Sequence, residues 1–250
     1  MFNSSDANST SAPVAPQTFS CSFLAGTATF TIILILGTIF GNVLVIVAFS
    51  LYERIRTVTN YFVVSLACTD LCVALFSSPV WVAYLLTGPV WVLGATLSRV
   101  WTMVDILIGT ASIMNLMAIS FDRVLCIKSP YRYSQWMTPR KVTFLISCVW
   151  FYSLGVAVTS FLIYSEPIFN LIAMIMCFCG PLLVIISAYS IVFKVALQQM
   201  KQISANRPAQ SPPRQSSLWK EFKAAKTLAV VVGAFVICWL PFVEIGRAHV

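Results

Sequence analysis

Six long apolar stretches dominate the chain: residues 26–51, 61–86, 97–126, 142–164, 168–195 and 224–243. Each is long enough to cross a hydrocarbon layer of about 30 Å as a helix that rises about 1.5 Å per residue. A composition of 59% hydrophobic and 10% charged residues also excludes an ordinary water-soluble domain. The sequence therefore predicts an all-α, polytopic membrane protein.

The positions of Lys and Arg predict how these spans are oriented. The basic residues collect between spans three and four and between spans five and six, which marks both connectors as cytosolic. The longer connector, 196–223, is rich in Pro and Ser and is expected to be a flexible loop. Residues 1–25 are predicted to be an extracellular tail, because glycosylation sequons begin at Asn3 and Asn8. Topology thus explains the net charge of +8, and we expect membrane lipids and no nucleic acid as partners.

Two carboxylates, Asp70 and Asp105, fall inside predicted spans. An ionisable group inside a span costs roughly 2.5 to 3.5 kcal/mol on insertion scales, so each carboxylate is expected to have a stabilising partner or a functional role. Asp105 lies about two turns from the outer end of its span, and Lys or Arg in the other spans occurs only at their cytosolic ends. It is therefore a candidate site for a protonated amine, with Phe235 and Trp239 as an aromatic floor. Satisfaction of the carboxylates by neighbouring hydroxyls, and ordinary packing of the aromatics, remain the alternatives.

Asp70 is predicted to lie deeper, near Asn42 of span one and Ser112 of span three. Buried oxygen ligands of this kind suit a small hard cation or a proton better than an organic cation. The three residues are therefore a candidate sodium or coupling site. Beyond this possible sodium ion, no metal or cofactor is expected.

A charged pair, Asp122 and Arg123, ends span three at its cytosolic boundary. Arg123 could pair with Asp122 or reach Glu221 at the start of span six. A pair that ties two helix ends and breaks when they separate is a candidate switch. A routine salt bridge at a helix end is the alternative. Pro181 and Pro241 each remove a helical hydrogen bond, which makes them candidate hinges.

Several motifs occur together and in a fixed order. They are Gly41-Asn42-Val43, Ser65-Leu66-Ala67-Cys68-Thr69-Asp70, Asp122-Arg123-Val124, Trp150, Pro181 with Tyr189, and Phe235 with Cys238-Trp239-Leu240-Pro241. Over about residues 25–243 this set resembles the rhodopsin-like, or class A, G-protein-coupled receptors. The resemblance implies a bundle of seven transmembrane helices, of which the chain contains six, and a receptor rather than an enzyme.

Within that family, Asp105 and the segments 110–116 and 119–123 are similar to the biogenic-amine receptors. Segments 129–133 and 137–139 resemble dopamine receptors that stimulate adenylyl cyclase, whereas 223–228 and 233–235 look equally like trace-amine or histamine receptors. The resemblance implies a plasma-membrane receptor that activates a heterotrimeric G protein, with cAMP as second messenger.

It also implies residue roles. Asp105 would bind the ligand amine, Trp239 would sense it, and Asn42, Asp70 and Ser112 would hold sodium in the inactive state. Arg123 would contact the G protein after span six moves outward. Asp122, Tyr189 and Glu221 complete the proposed coupling and switch residues.

The sequence departs from the family pattern at several positions. Serines that face catechol hydroxyls in dopamine receptors are replaced by Ala173, Met174 and Cys177, so catechol recognition is not expected; Cys177 remains a candidate ligand-binding residue. Ser98 stands where the outer disulfide needs a cysteine, so we expect no such disulfide.

We expect an incomplete gene product, because a seventh span is needed and residues 244–250 look like a non-native tail. A truncated or decoy receptor is one alternative function. A transporter is another, although the inverted repeats typical of one are not evident.

Overall fold

The computed structural model describes residues 21–87, 94–163, 172 and 175–205. Within these ranges the chain is helical and contains no strand. The helices are α1 (Cys21–Leu51), α2 (Val58–Cys72), α3 (Ser78–Leu86), α4 (Gly94–Lys128), α5 (Pro130–Trp136), α6 (Pro139–Leu162) and α7 (Gly180–Ala205). A short 3₁₀ turn, Glu53–Ile55, lies between α1 and α2.

Five of the six predicted spans fall in the described ranges, and all five are confirmed as helices long and apolar enough to cross a membrane. They cover Ser22–Leu51, Val58–Leu86, Gly94–Lys128, Pro139–Leu162 and Ile175–Val195. The predicted span 224–243 lies outside the described residues.

The predicted ends of the spans differ from the observed ends by a few residues. α1 begins five residues earlier than expected. The hydroxyls of Thr27, Thr29 and Thr31 donate to carbonyls of their own helix, which satisfies these donors in an apolar surrounding. α6 also begins early, at Pro139, where the Thr138 side chain accepts a hydrogen bond from the Lys141 backbone. Residues 196–205, expected to be a flexible loop, instead continue α7 to Ala205.

Two π-helical turns interrupt the second and fifth spans. One, Val73–Ser77, precedes Pro79, and the other, Ile175–Cys179, precedes Pro181. A proline lacks an N–H, and its ring crowds the carbonyl four residues earlier, which lies inside the π turn in both cases. A wider turn relieves that crowding. The predicted hinge at Pro181 is thus a local change of helical pitch.

α4 is the central helix and packs against α2, α6 and α7. It contains more buried residues than any other helix of the described chain, and they lie in its middle and cytosolic thirds. One apolar cluster joins Ile113 and Leu116 to Ile185 of α7, and a second joins Ile119 to Phe62 of α2 and Val142 of α6. The outward faces are also apolar: Phe40 is 73% exposed and Phe151 is 74% exposed. Such faces suit contact with lipid rather than water.

The tight packing of α6 leads to a first prediction. Ala157 is fully buried, whereas its neighbour Val158 is 42% exposed. We expect Ala157→Leu to destabilise the protein by about 1 to 3 kcal/mol, because the added carbons must displace packed helices. Val158→Leu, the matched control, should change the thermal unfolding temperature in detergent by less than about 2 °C. Equal effects of the two substitutions would contradict the packing described for α6.

Candidate functional site

α4 brings three candidate sites into line: Asp105 towards its N-terminal end, Ser112 in its middle and Asp122 near its C-terminal end. Each contacts a different part of the second span or the α5 helix.

The Asp105 carboxylate is half-buried and faces the π turn of the second span. The Ser77 hydroxyl donates to Asp105 Oδ1 at 2.5 Å, and the Trp101 indole N–H lies 3.4 Å from the Ser77 carbonyl oxygen. No Lys or Arg in the described part of the chain forms an ion pair with Asp105. A single neutral hydroxyl orients the carboxylate but leaves its negative charge uncompensated. This arrangement can bind a cation that approaches from the remaining side.

Sequence reasoning did not find Ser77 or Trp101. Trp101 lies one turn before Asp105 on the same helix, so its spacing was a usable signal. Ser77 had no such signal, because only the π turn sets its direction.

Cys177, the predicted ligand-binding residue of span five, lies in the second π turn. Its sulfur is 3.6 Å from the Tyr152 hydroxyl of α6. The thiol therefore has a protein partner, and no contact between Cys177 and Asp105 is recorded among the described residues. Phe235 and Trp239, the other predicted ligand residues, lie outside the described residues.

The predicted sodium site is partly assembled. The Ser112 side chain interacts with the Asp70 carboxylate, as expected. Asn42 instead donates its amide N–H to the Thr38 carbonyl of its own helix at 2.9 Å, which leaves its side-chain oxygen as an available ligand atom.

Asn115 lies one turn beyond Ser112 on α4 and is completely buried. Neither side-chain polar atom of Asn115 has a hydrogen-bond partner among the described residues. Buried polar atoms of this kind are normally satisfied by water or an ion. The donor set of carboxylate, hydroxyl and amide oxygens therefore fits a small hard cation with its water.

The Asp122 carboxylate is the most completely satisfied group of the described chain. The Thr59 hydroxyl donates to Oδ2 and the Tyr133 hydroxyl donates to Oδ1, each at 2.6 Å. Arg123 Nη2 lies 3.2 Å from Oδ2, which confirms the predicted pair of neighbours. Asp122 is 1% exposed, so its charge is tolerated because three donors replace water.

Tyr189 of α7 lies near Arg123. Its hydroxyl is buried beside Ser120 and Arg123 but completes no hydrogen bond. The Ser120 hydroxyl donates to the Leu116 carbonyl of its own helix. Arg123 thus forms an ion pair with Asp122, and the Tyr189 hydroxyl near it has no hydrogen-bond partner among the described residues. Glu221 and Pro241 lie outside the described residues, as do Asn3 and Asn8.

The family described as 7 transmembrane receptor (rhodopsin family) matches residues 41–169 and 163–246. The chain belongs to this family. Membership confirms the predicted class of receptor. It also confirms the predicted location as a multi-pass protein of the plasma membrane. It agrees with the prediction that the chain is not an enzyme.

Curated relatives of the receptor include histamine and dopamine receptors. It is 34% identical to the histamine H2 receptor of Rattus norvegicus over 233 residues, which cover 84% of this chain and 62% of the relative. The human histamine H2 receptor is 34% identical over 235 residues, with the same coverage. The D(1A) dopamine receptor of Didelphis virginiana is 33% identical over 270 residues, covering 88% of this chain and 60% of the relative. The chain thus spans about three fifths of the length of these relatives.

The network around Asp122 leads to a second prediction. Burial of Tyr133 and its hydrogen bond to the Asp122 carboxylate raise the pKa of Tyr133 to about 12, from a usual value of 10. Tyr133→Phe should destabilise the receptor by about 1 to 2 kcal/mol, because a buried carboxylate loses a donor. The stabilisation from Tyr133 is complete below pH 10 and is lost as pH rises towards 12, so the difference between the two proteins should narrow there.

Thermal unfolding across this pH range checks the prediction. Tyr52→Phe is the control, because Tyr52 is 63% exposed. If Tyr133→Phe loses no more stability than Tyr52→Phe does, the hydrogen bond from Tyr133 to Asp122 contributes nothing to stability.

Proposed function

We propose that the receptor binds a small protonated amine at Asp105 and activates a heterotrimeric G protein through its cytosolic face. The observation that carries the proposal is the uncompensated Asp105 carboxylate, held by Ser77 and without an ion pair in the described chain. Relatives named for histamine and dopamine, both of which are amines, support the same ligand class.

The electrostatics favour an ammonium group over a neutral ligand. A carboxylate in a half-buried position attracts a cation several times more strongly than in water, and a charge-assisted hydrogen bond adds direction. Ser77 fixes one carboxylate oxygen and leaves the other for the ligand. Trp101 holds the Ser77 backbone, so the donor is itself held in place.

Coupling to the G protein is proposed to use Arg123. In the structure Arg123 pairs with Asp122, while the Tyr189 hydroxyl beside it has no partner. Movement of α7 or of the sixth span relative to α4 would let Arg123 exchange Asp122 for Tyr189 or for a G-protein segment. The resemblance of segments 129–133 and 137–139 to dopamine receptors that stimulate adenylyl cyclase favours a stimulatory G protein with cAMP as messenger.

The amine proposal generates a third prediction, tested in cells that express the full-length receptor. Asp105→Asn should reduce the potency of an activating amine at least about 100-fold, because the ion pair is lost while the shape is kept. Ser77→Ala, which keeps the charge, should cost only about tenfold.

The assay is a panel of amines, histamine and dopamine among them, with cAMP and inositol phosphate measured in parallel at equal surface expression. An unchanged response of Asp105→Asn would refute amine binding at this residue. A response in inositol phosphate alone would refute stimulatory coupling and leave amine binding intact.

We also propose that Asp70, Ser112 and Asn42 hold a sodium ion. The interaction between Asp70 and Ser112 and the unpartnered amide of Asn115 support this assignment. When bound, the ion would supply a positive charge that stabilises the conformation in which Asp70 is buried.

A fourth prediction concerns this ion. Replacing choline by sodium at constant ionic strength should raise the thermal unfolding temperature by a few degrees, as expected when a ligand binds only the folded state. Asp70→Asn should abolish the increase, whereas Ser120→Ala should preserve it, because the Ser120 hydroxyl donates to a carbonyl of its own helix. A sodium effect that persists in Asp70→Asn would place the ion elsewhere.

A further inference from the structure

A cavity of about 460 Å³ lies where α5 meets the ends of α4 and α6. Two cations line it, Arg132 of α5 and Lys141 of α6, and none of the described residues around it is acidic. Neither cation forms an ion pair within the described residues, so both charges are available. The remaining wall is largely apolar and includes Trp136, which is 72% exposed, and Phe144.

This basic cavity continues into an apolar groove between α4 and α6. The groove has a volume of about 430 Å³ and shares Leu125, Met137 and Leu145 with the cavity. It extends along α4 as far as Met114, which is about 16 Å from Leu125 at 1.5 Å per residue. That length is close to one leaflet of a hydrocarbon layer about 30 Å thick.

One charged residue, Asp122, lines the groove, but its carboxylate is already occupied. Thr59, Tyr133 and Arg123 take up its oxygen atoms, and its side chain is fully buried. It therefore does not oppose an anion in the neighbouring basic cavity. The combined surface is apolar along the membrane-spanning helices and cationic at their cytosolic end.

Its occupant should have the complementary character, an anionic head joined to a hydrocarbon chain. The cytosolic leaflet is rich in anionic lipids, which attract Lys and Arg at the membrane boundary. We infer that this surface binds one anionic phospholipid, with its phosphate head between Arg132 and Lys141 and an acyl chain along the groove between α4 and α6.

A lipid in this position would affect the switch residues. Tyr133 lines the basic cavity and also donates to Asp122. A bound head group holds α5 against α4 and α6, and so holds Tyr133 where it satisfies Asp122. The lipid thus favours the state in which Asp122 retains Arg123.

The fifth prediction tests this site by native mass spectrometry of the receptor with equal amounts of phosphatidylserine and phosphatidylcholine. The wild-type receptor should bind phosphatidylserine preferentially as a single adduct. Arg132→Gln with Lys141→Gln should reduce this preference at least about tenfold. The matched control is Lys128→Gln with Arg140→Gln, which removes the same charge at the same end of α4 and α6 but outside the cavity. It should change the preference by less than about twofold.

Two further arms examine the parts of the site separately. Arg132→Lys keeps the charge and should keep the preference. Leu145→Trp fills the junction of cavity and groove, and it should weaken phosphatidylserine binding although every cation is retained. Glycerophosphoserine, which lacks acyl chains, should not displace the lipid at equal concentration.

If the two double variants lose the preference for phosphatidylserine equally, the proposal is overturned, because general attraction between basic residues and anionic lipid then explains the binding. Displacement by glycerophosphoserine would overturn it in favour of a free-anion site. Undiminished binding in Leu145→Trp would show that the chain does not occupy the groove. Thermal unfolding in phosphatidylcholine alone should be the same for all variants, which separates loss of binding from loss of folding.

Discussion

A carboxylate inside an apolar helix bundle must be matched by hydrogen-bond donors or by a cation, and this requirement organises α4. Asp122 meets it with three protein donors, from α2, from α5 and from its own neighbour. Asp105 meets it only in part, through Ser77. On the same helix, the fully hydrogen-bonded Asp122 is thus a structural junction, whereas the partly satisfied Asp105 is the proposed binding site.

Two of the donors to these carboxylates come from short elements that pack against α4. The π turn at Val73–Ser77 carries the hydroxyl that reaches Asp105, and α5 carries the hydroxyl that reaches Asp122. The long regular helix α4 thus lies at the centre of the receptor, and short neighbouring elements supply the remaining side chains of the sites. The proposed lipid site follows the same arrangement, since α5 supplies Arg132 and Trp136 while α4 and α6 supply the groove.

The sequence was sufficient for the parts of the fold that depend on hydrophobicity and local pairing. Five spans, the Asp122–Arg123 pair and the proximity of Asp70 to Ser112 were predicted correctly, because length, adjacency and helical spacing determine them. The contacts of Ser77, Thr59 and Tyr133 were missed, since they join residues far apart in the chain through tertiary packing. The hydrogen bond from Asn42 to Thr38 was missed because an amide side chain can bond to the backbone of its own helix instead of to a distant residue.

The two π turns also change the order in which side chains face the bundle. A π turn contains about one residue more than an α turn, so every side chain beyond it is rotated by roughly 100° relative to an uninterrupted helix. The half of the second span that follows Ser77 therefore keeps its own angular register. A receptor with the same sequence but a regular turn here would present a different row of side chains to the proposed amine site, so a change of helical pitch can alter recognition without any substitution.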